Sequence, residues 1–272
     1  MDEIDLSAAD SRSFIIEACR RAKSQAVNII SPHNTTNLVV KLTDTTAVKF
    51  GIGVTRGEAF ALDFASRNLD PQCIRVPRFL QFFSETDSYW PIGYLVMSLL
   101  EGTLFDEISP SRQAPFVPKI IKALQHMHAL TSPRPGPLDG SHARGLLWSE
   151  NSSGRSFECC NDLQGYLDER LAVKGTAEIC VTDVPMSFCH MDVAPRNMVV
   201  DPDGSIGLLD WGCAGFYPKC FETWAVQMEV CTRGGQVLEQ LFSDILQDST
   251  AREQTEVKTL WQVYSVNLRY AL

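Results

Sequence analysis

The sequence predicts an α+β fold with two lobes, a small β-rich lobe over residues 1–97 and a larger helical lobe over residues 98–272. Two observations lead to this prediction. Short β-rich segments dominate up to about residue 97, and one long helical segment interrupts them. Beyond Glu101 and Gly102, apolar residues recur mostly at helical spacing. With 272 residues, 44% of them hydrophobic, the chain suffices for one large domain or two small ones with a proper core.

The first lobe is predicted to consist mostly of strands, with one helix inserted after the third strand. In chain order the elements are a helix over 13–25, a strand over 26–30, strands over 37–42 and 47–50, a helix over 56–69, and strands over 76–83 and 94–100. The second and third strands form a hairpin, because the polar run TDTT separates two β-rich runs. The helix that follows carries Ala59, Leu62 and Ala65 on one side. The polar run SETDS separates the last two strands.

The second lobe is predicted to be mainly helical. Its first helix covers residues 114–130, where apolar side chains recur at helical spacing. Further helices are predicted over 158–173, 219–233 and 252–270. Residues 131–157 are rich in Pro, Gly and Ser, and a loop of this length in a compact domain is usually functional or mobile. Ligands favour the junction between two lobes.

Another β-hairpin is predicted between Asn197 and Asp210. The runs MVV and IGLL form its strands and DPDG its turn, since Pro fixes φ at the second turn position and Gly accepts a positive φ at the fourth. Antiparallel pairing joins the two ends of the hairpin, so Asn197 and Asp210 are expected to lie close in space. Asp192, in the loop before the hairpin, can reach the same volume.

These residues predict the chemistry of phosphoryl transfer from ATP. Asn197 and Asp210 offer oxygen ligands that suit Mg²⁺, and Asp192 offers a carboxylate that can take a proton from an attacking hydroxyl. The reaction also needs a cation on the α- and β-phosphates. Lys49 lies on a strand between apolar neighbours, and Glu58 in the next helix can pair with it.

At these residues the sequence resembles the aminoglycoside phosphotransferase and choline kinase-like family, which has a protein-kinase-like fold. The catalytic loop of that family reads H-x-D-x-x-P-x-N, and the matching positions are His190, Asp192, Pro195 and Asn197. Asp210 in LLDWG matches the metal-binding aspartate, which this family follows with Trp. The resemblance also implies that the adenine binds the backbone of the segment that joins the lobes, which by position is Ser98, Leu99 and Leu100.

One loop and two single positions depart from the family pattern. The glycine-rich loop that covers the phosphates is replaced by the glycine-free SPHNTTN, where Ser31, Asn34 and Thr35 can still donate hydrogen bonds to phosphate. Met191 occupies a position where the family commonly has Gly. Ser98 replaces a frequent Glu.

The resemblance places three candidate catalytic residues in one loop: Asp192 as the base, His190 and Arg196. His190 is expected to brace the loop rather than react. Arg196 is expected to pair with the acceptor or with an acidic group, or to be solvated. The first lobe is then a nucleotide-binding lobe, and the second carries the catalytic loop and the acceptor pocket.

The resulting hypothesis is a kinase that uses ATP and Mg²⁺ to phosphorylate a hydroxyl of a small molecule. Two alternatives stay open. A protein kinase would carry Phe-Gly after Asp210 and a long activation segment, and the sequence has neither. A nucleotide-binding pseudokinase or scaffold draws its support from the glycine-free loop. The sequence does not indicate the identity of the acceptor.

Charge and composition exclude several classes of partner. The net charge of −9 predicts no general affinity for nucleic acid or for anionic membranes. The acidic N-terminal residues do not resemble a secretory signal, and no apolar run is long enough to span a bilayer. The 9 cysteines include no CxxC pair, which indicates buried thiols and a cytoplasmic protein. The sequence leaves the oligomeric state undetermined.

Overall fold

The structure is a computed structural model, and it describes residues 10–31, 36–87, 90–148, 152–173, 175 and 177–269. Within these residues the helices α1 to α8 span Asp10–Gln25, Arg56–Asn68, Pro110–Gln113, Val117–His128, Cys160–Ala172, Lys219–Arg233, Gln236–Gln247 and Ala251–Arg269. The strands β1 to β10 span Leu38–Lys41, Thr46–Gly51, Phe79–Asp87, Trp90–Ser98, Thr103–Leu104, Thr131–Ser132, Met186–Cys189, Met198–Val200, Ile206–Leu208 and Gly215–Tyr217.

The N-terminal part is a four-stranded antiparallel sheet in the order β1-β2-β4-β3. Helix α1 buries Ile15 and Cys19 in one apolar cluster with Val48 and Phe50 of β2. Side chains alternate between the two faces of a strand, so Lys49, between these two residues, is directed to the opposite face. That face is the one on which the chain places helix α2.

Helix α2 belongs to the same apolar core as the helical part of the chain. Its N-cap is Thr55, whose hydroxyl accepts a hydrogen bond from the Glu58 N–H at 3.2 Å. Near its other end, the Phe64 ring packs edge-on against Phe188 and Phe216, at centroid distances of 4.9 and 5.5 Å. The helix therefore has contacts near both of its ends, and Glu58 in its first turn has a defined position.

The C-terminal part combines helices α4 to α8 with two small sheets, β10-β7-β6 and β5-β8-β9. Its core is rich in aromatic side chains. Trp148 is 2% exposed and packs against Tyr166, Tyr217 and Phe221. The residues 198–208 form the predicted hairpin, with Met198 opposite Leu208 and Val200 opposite Ile206. The short strands of this hairpin are fully buried, which makes it a rigid support for the residues at its ends.

The α+β class and most elements are as predicted, with three corrections. The strand predicted over 26–30 is wrong: Ala26 and Asn28 have φ values of 54° and 58°, and only Ile29 forms a single bridge, to Val40. Helix α2 therefore follows the second strand of the sheet rather than the third. The polar run SETDS belongs largely to strand β3 and does not separate two strands. Helices α3 and α7 and the short strands β5, β6, β7 and β10 were not predicted. The division into lobes at residues 97 and 98 stays a prediction.

Candidate active site

Lys49 lies at the centre of a buried ion-pair cluster. Its Nζ atom is 2.6 Å from Glu58 Oε1 and 2.8 Å from Asp210 Oδ1. Burial lowers the pKa of the Lys49 ammonium, but the two carboxylates outweigh this effect and raise it, so Lys49 stays charged. Burial raises the pKa of Glu58. The cluster joins strand β2, helix α2 and the segment after β9, so the pairing of Lys49 with Glu58 expected from the sequence is present.

Asp210 has a left-handed backbone, with φ 60° and ψ 75°, and precedes a short 3-10 helix at Trp211–Cys213. This conformation is uncommon for a residue other than Gly, and Asp tolerates it better than most. The Asp210 side chain is 42% exposed. Burial acts to raise its pKa, but the contact with Lys49 prevails and lowers it, so the carboxylate is held ionised. Trp211, 2% exposed, packs in the core as expected.

Asp192 accepts hydrogen bonds from two neighbouring side chains. Its Oδ2 is 2.8 Å from Asn197 Nδ2, and its Oδ1 pairs with the Arg196 guanidinium. Asn197 Nδ2 also donates to the backbone oxygen of Asp192 at 2.9 Å. Burial raises the pKa of Asp192, and Arg196 only partly opposes it. Asp192 therefore has a higher affinity for a proton than an ordinary aspartate.

The predicted hairpin places Asn197 beside Asp210. The Leu209 N–H donates to the backbone oxygen of Asn197 at 2.8 Å, immediately beyond the last strand pair. The charge of Asp210 is close enough to Asp192 to contribute to its raised pKa. Asp192, Asn197 and Asp210 thus share one end of the hairpin, as the sequence predicts, although their chemical roles remain predictions.

His190 is completely buried, and both nitrogens of its ring form hydrogen bonds with backbone atoms. Its Nδ1 accepts the Asp192 N–H at 3.2 Å, and the tautomer protonated at Nε2 then donates to the Leu209 oxygen at 2.9 Å. The ring lies edge-on to Trp211. This arrangement supports bracing of the loop against the segment before Asp210, and it does not place the ring at an exposed reacting position.

Sequence reasoning missed two acidic residues of α6. The carboxylate of Glu222, which is 1% exposed, accepts the His190 N–H at 2.6 Å and the Met191 N–H at 2.8 Å. Burial acts to raise the pKa of Glu222, but His128 and the loop donors lower it overall. Glu229, 4% exposed, accepts a hydrogen bond from Arg196 Nη1 at 2.7 Å. Both residues fix the backbone and the cation beside Asp192.

The predicted nucleotide-binding residues are only partly described. Asn34 and Thr35 lie outside the described residues. The Ser31 hydroxyl accepts the Val39 N–H at 3.0 Å, which ties the start of its loop to β1. At the end of β4, the Leu99 N–H donates to the Thr45 oxygen at 2.8 Å, so this amide is already used within the protein. Ser98 and Leu100 flank it, half-buried.

The model of the phosphotransferase enzyme family matches residues 54–254. The chain belongs to this family. The match includes Glu58 and every residue of the catalytic loop and hairpin described above, and it begins after Lys49. The search of curated proteins gives no match for this phosphotransferase. The resemblance inferred from the motifs is confirmed, and so is the prediction that the chain is an enzyme.

Solved structures show the fold of this phosphotransferase. It is similar to a thermostable mutant of aminoglycoside phosphotransferase APH(4)-Ia in ternary complex with AMP-PNP and hygromycin B, with a TM-score of 0.59, 11% identity, and coverage of 95% of this chain and 89% of that chain. It is also similar to APH(2")-IIIa with GDP and kanamycin, with a TM-score of 0.50, 10% identity, and coverage of 94% and 87%. The two-lobed, protein-kinase-like fold is thus confirmed. Among the described residues, no helix is long and apolar enough to cross a membrane.

Proposed function

We propose that this phosphotransferase uses ATP and Mg²⁺ to phosphorylate a hydroxyl group of a small molecule. The observation that carries the proposal is the convergence of Lys49, Glu58 and Asp210 next to the loop that holds Asp192 and Asn197. A buried lysine held between two carboxylates is a fixed cation for the α- and β-phosphates of the nucleotide. Glu58 positions this lysine and does not itself meet the substrate.

The donor set fits Mg²⁺, which takes carboxylate and amide oxygens. Asn197 directs its amide nitrogen to Asp192, which leaves its Oδ1 as an acceptor for a cation. Lys49 and the Gly212 N–H both contact Oδ1 of Asp210, and Oδ2 is the oxygen proposed for the cation. Mg²⁺, when bound, supplies positive charge on the β- and γ-phosphates and withdraws electron density from the transferred group.

Asp192 is the proposed base. Burial gives it a raised pKa, and Asn197 and Arg196 fix both of its oxygens in place. A positioned base that accepts the hydroxyl proton contributes roughly 10²–10⁴ in rate. In this reaction the acceptor oxygen bonds to the γ-phosphorus, the bond from that phosphorus to the bridging oxygen breaks, and the proton passes to the Asp192 carboxylate.

The similar structures support a small polar acceptor. Those proteins were solved with hygromycin B or kanamycin beside a nucleotide, and they share this fold at 11% identity or less. Fold similarity at this level leaves the acceptor and the choice between ATP and GTP to experiment. The Ser98 N–H donates to the Arg78 oxygen and the Leu99 N–H to the Thr45 oxygen, so the Leu100 N–H is the donor proposed for the adenine.

A thermal-shift experiment with Mg·ATP, Mg·GTP and each nucleotide without metal tests the first part. We expect a rise in Tm with Mg·ATP that chelation of the metal removes. A coupled assay for ADP over a panel of aminoglycosides, amino alcohols and sugars then tests the second part. Binding without turnover on any acceptor would favour the scaffold alternative, and turnover on a protein substrate alone would favour a protein kinase. No shift with any nucleotide contradicts the proposal.

A further inference from the structure

The long loop between α4 and α5 is anchored on the C-terminal core. Gly136 exchanges two backbone hydrogen bonds with Phe216, each 2.9 Å long, which attaches the loop to the strand after Asp210. Further along, the Leu147 oxygen accepts from Asn267 Nδ2 of α8 at 2.8 Å. The described part of this loop is thus anchored at two points, and its functional or mobile character stays a prediction.

Residues 139–144 of this loop, here called the clasp, reach the N-terminal lobe. Arg144 Nη1 donates to the Gly53 oxygen at 3.1 Å, in the turn between β2 and α2. A Cβ atom on Gly57 would lie 3.2 Å from both Asp139 Oδ1 and Ser141 Oγ, so the clasp also touches the first turn of α2. The clasp therefore contacts α2 at its N-terminal end, opposite to the end held by Phe64.

The base of the clasp is rigid. The Ala143 N–H donates to Ser153 Oγ at 3.0 Å, and the Ser153 hydroxyl donates to the Arg155 oxygen at 2.6 Å. Ser153 is 3% exposed and Ala143 is fully buried. A side chain held on such a base can fix the position of what it contacts, because its own backbone does not give way.

Glu58 follows Gly57 directly in α2, and its carboxylate holds Lys49. We propose that Arg144 is a positioning residue, which clamps the N-terminal end of α2 from the helical lobe and so keeps Glu58 and Lys49 in register with Asp210. The contact joins residues of the two lobes that lie far apart in the chain, next to the cluster that also joins them. The consequence for nucleotide affinity rests on the proposed function, and the consequence for α2 does not.

Hydrogen–deuterium exchange of the full chain tests the clamp without any ligand. We expect Arg144→Met to raise the exchange of amides in the first two turns of α2 about tenfold, the value of one hydrogen bond from a charged group. Arg155→Met is the matched control: it lies in the same loop and pairs with Glu169, not with the N-terminal lobe. In Arg155→Met, we expect the exchange of amides in the first two turns of α2 to be unchanged. In Arg144→Met, we expect the exchange of amides in α8 to be unchanged.

A titration with Mg·ATP tests positioning as distinct from stability. We expect Arg144→Met to weaken Mg·ATP affinity about tenfold while the Tm without ligand falls little, because one half-buried contact is lost from a large core. Arg144→Lys keeps a cation that can donate to the Gly53 oxygen, and we expect it to restore part of the affinity and of the α2 protection.

Three results would overturn the inference. The first is unchanged exchange in α2 for Arg144→Met, and the second is raised exchange equal to that of Arg155→Met. The third is raised exchange with unchanged Mg·ATP affinity, since the contact would then be structural only. If the wild-type chain binds no nucleotide, the proposed function fails, and the exchange experiment still decides whether Arg144 clamps α2.

Discussion

Asp192 and Asp210 lie at the same end of one hairpin, yet their surroundings act on them in opposite directions. Asp210 forms an ion pair with Lys49, and the pKa of Asp210 is lowered. Asp192 is more buried, with 22% of its side chain exposed, and its pKa is raised despite the adjacent Arg196. Two carboxylates whose environments separate their pKa values are suited to two different tasks. The one kept ionised suits a cation, and the one that binds protons more readily suits a base.

The two cations beside these aspartates also differ. Lys49 is 9% exposed and connects β2 with α2 and the Asp210 segment, so its cluster depends on the relative position of the two lobes. Arg196 is 31% exposed, and both of its carboxylate partners, Asp192 and Glu229, lie in the helical lobe. The proposed base is therefore held by contacts within the predicted helical lobe, whereas the cation proposed for the phosphates is held by contacts from both predicted lobes. Substitutions at the two places should have different effects.

The largest expected effect is on turnover at Asp192. Asp192→Ala should lower kcat by roughly 10²–10⁴ on the acceptor that the panel identifies, because the hydroxyl proton loses its base. Its Mg·ATP affinity should stay within a few-fold of wild type, since Lys49 and Asp210 are untouched. Asp203→Asn, in the turn at the far end of the hairpin, is the control and should retain wild-type kcat. Wild-type turnover in Asp192→Ala would show that Asp192 is not the base.

The second effect concerns the cluster between the lobes. Glu58→Gln leaves Lys49 with one carboxylate instead of two, and we expect a loss of about 1–3 kcal/mol in the free energy of unfolding together with weaker Mg·ATP binding. Urea unfolding and calorimetric titration measure the two quantities. Asp63→Asn removes an exposed ion pair with Arg67 on the same helix, and it should change neither quantity appreciably. Equal losses in both variants would show that Lys49 does not depend on Glu58.

Local patterns in the sequence predict much of this site. The turn DPDG defines a hairpin by itself, and the hairpin then joins Asn197 to Asp210. Lys49 and Glu58 follow each other on adjacent elements, so their pairing needs only the correct packing of one helix on one sheet. The wrong strand at residues 26–30 has a local cause as well: its β-prone residues follow directly on the end of α1, where Ala26 turns the chain through a left-handed conformation.

The parts that could not be predicted depend on distant packing. Glu222 and Glu229 reach the catalytic loop only because α6 packs beneath it, and Arg144 meets Gly53 only because a long loop folds back over α2. A signal for Glu222 did exist: it stands in the largely apolar run KCFETWAVQM, and a charge buried among apolar residues requires partners. The sequence does not reveal which partners those are.

The third effect is a shift in pH dependence. Asp192 must be ionised to accept a proton, so kcat/KM should fall as the pH drops through its raised pKa. Arg196 opposes that raised pKa, and Arg196→Met removes the opposing cation. The acidic limb of the kcat/KM profile should therefore move to higher pH, and Arg196→Lys, which keeps the charge, should move it less. A limb that moves to lower pH, or not at all, would mean that Arg196 does not act on the base.

The smallest effect lies in the backbone of the catalytic loop. Met191 has a φ of 64°, and Glu222 holds its N–H at 2.8 Å in that left-handed conformation. Met191→Ala and Met191→Gly both lose the same buried side chain, but Ala retains the steric penalty of a positive φ. The Gly variant should therefore be the more stable one by about 1 kcal/mol, or about 2–4 °C in Tm.

Val193 provides the matched comparison for this last effect. It is also buried, at 1% exposure against 7% for Met191, and does not share the positive φ of Met191. At Val193 the usual order should hold, with Ala more stable than Gly, because Gly adds freedom to the unfolded chain and relieves nothing in the folded one. The same order at both positions would mean that Glu222 does not hold the loop in a strained conformation. Opposite orders would localise the strain to the residue between His190 and Asp192.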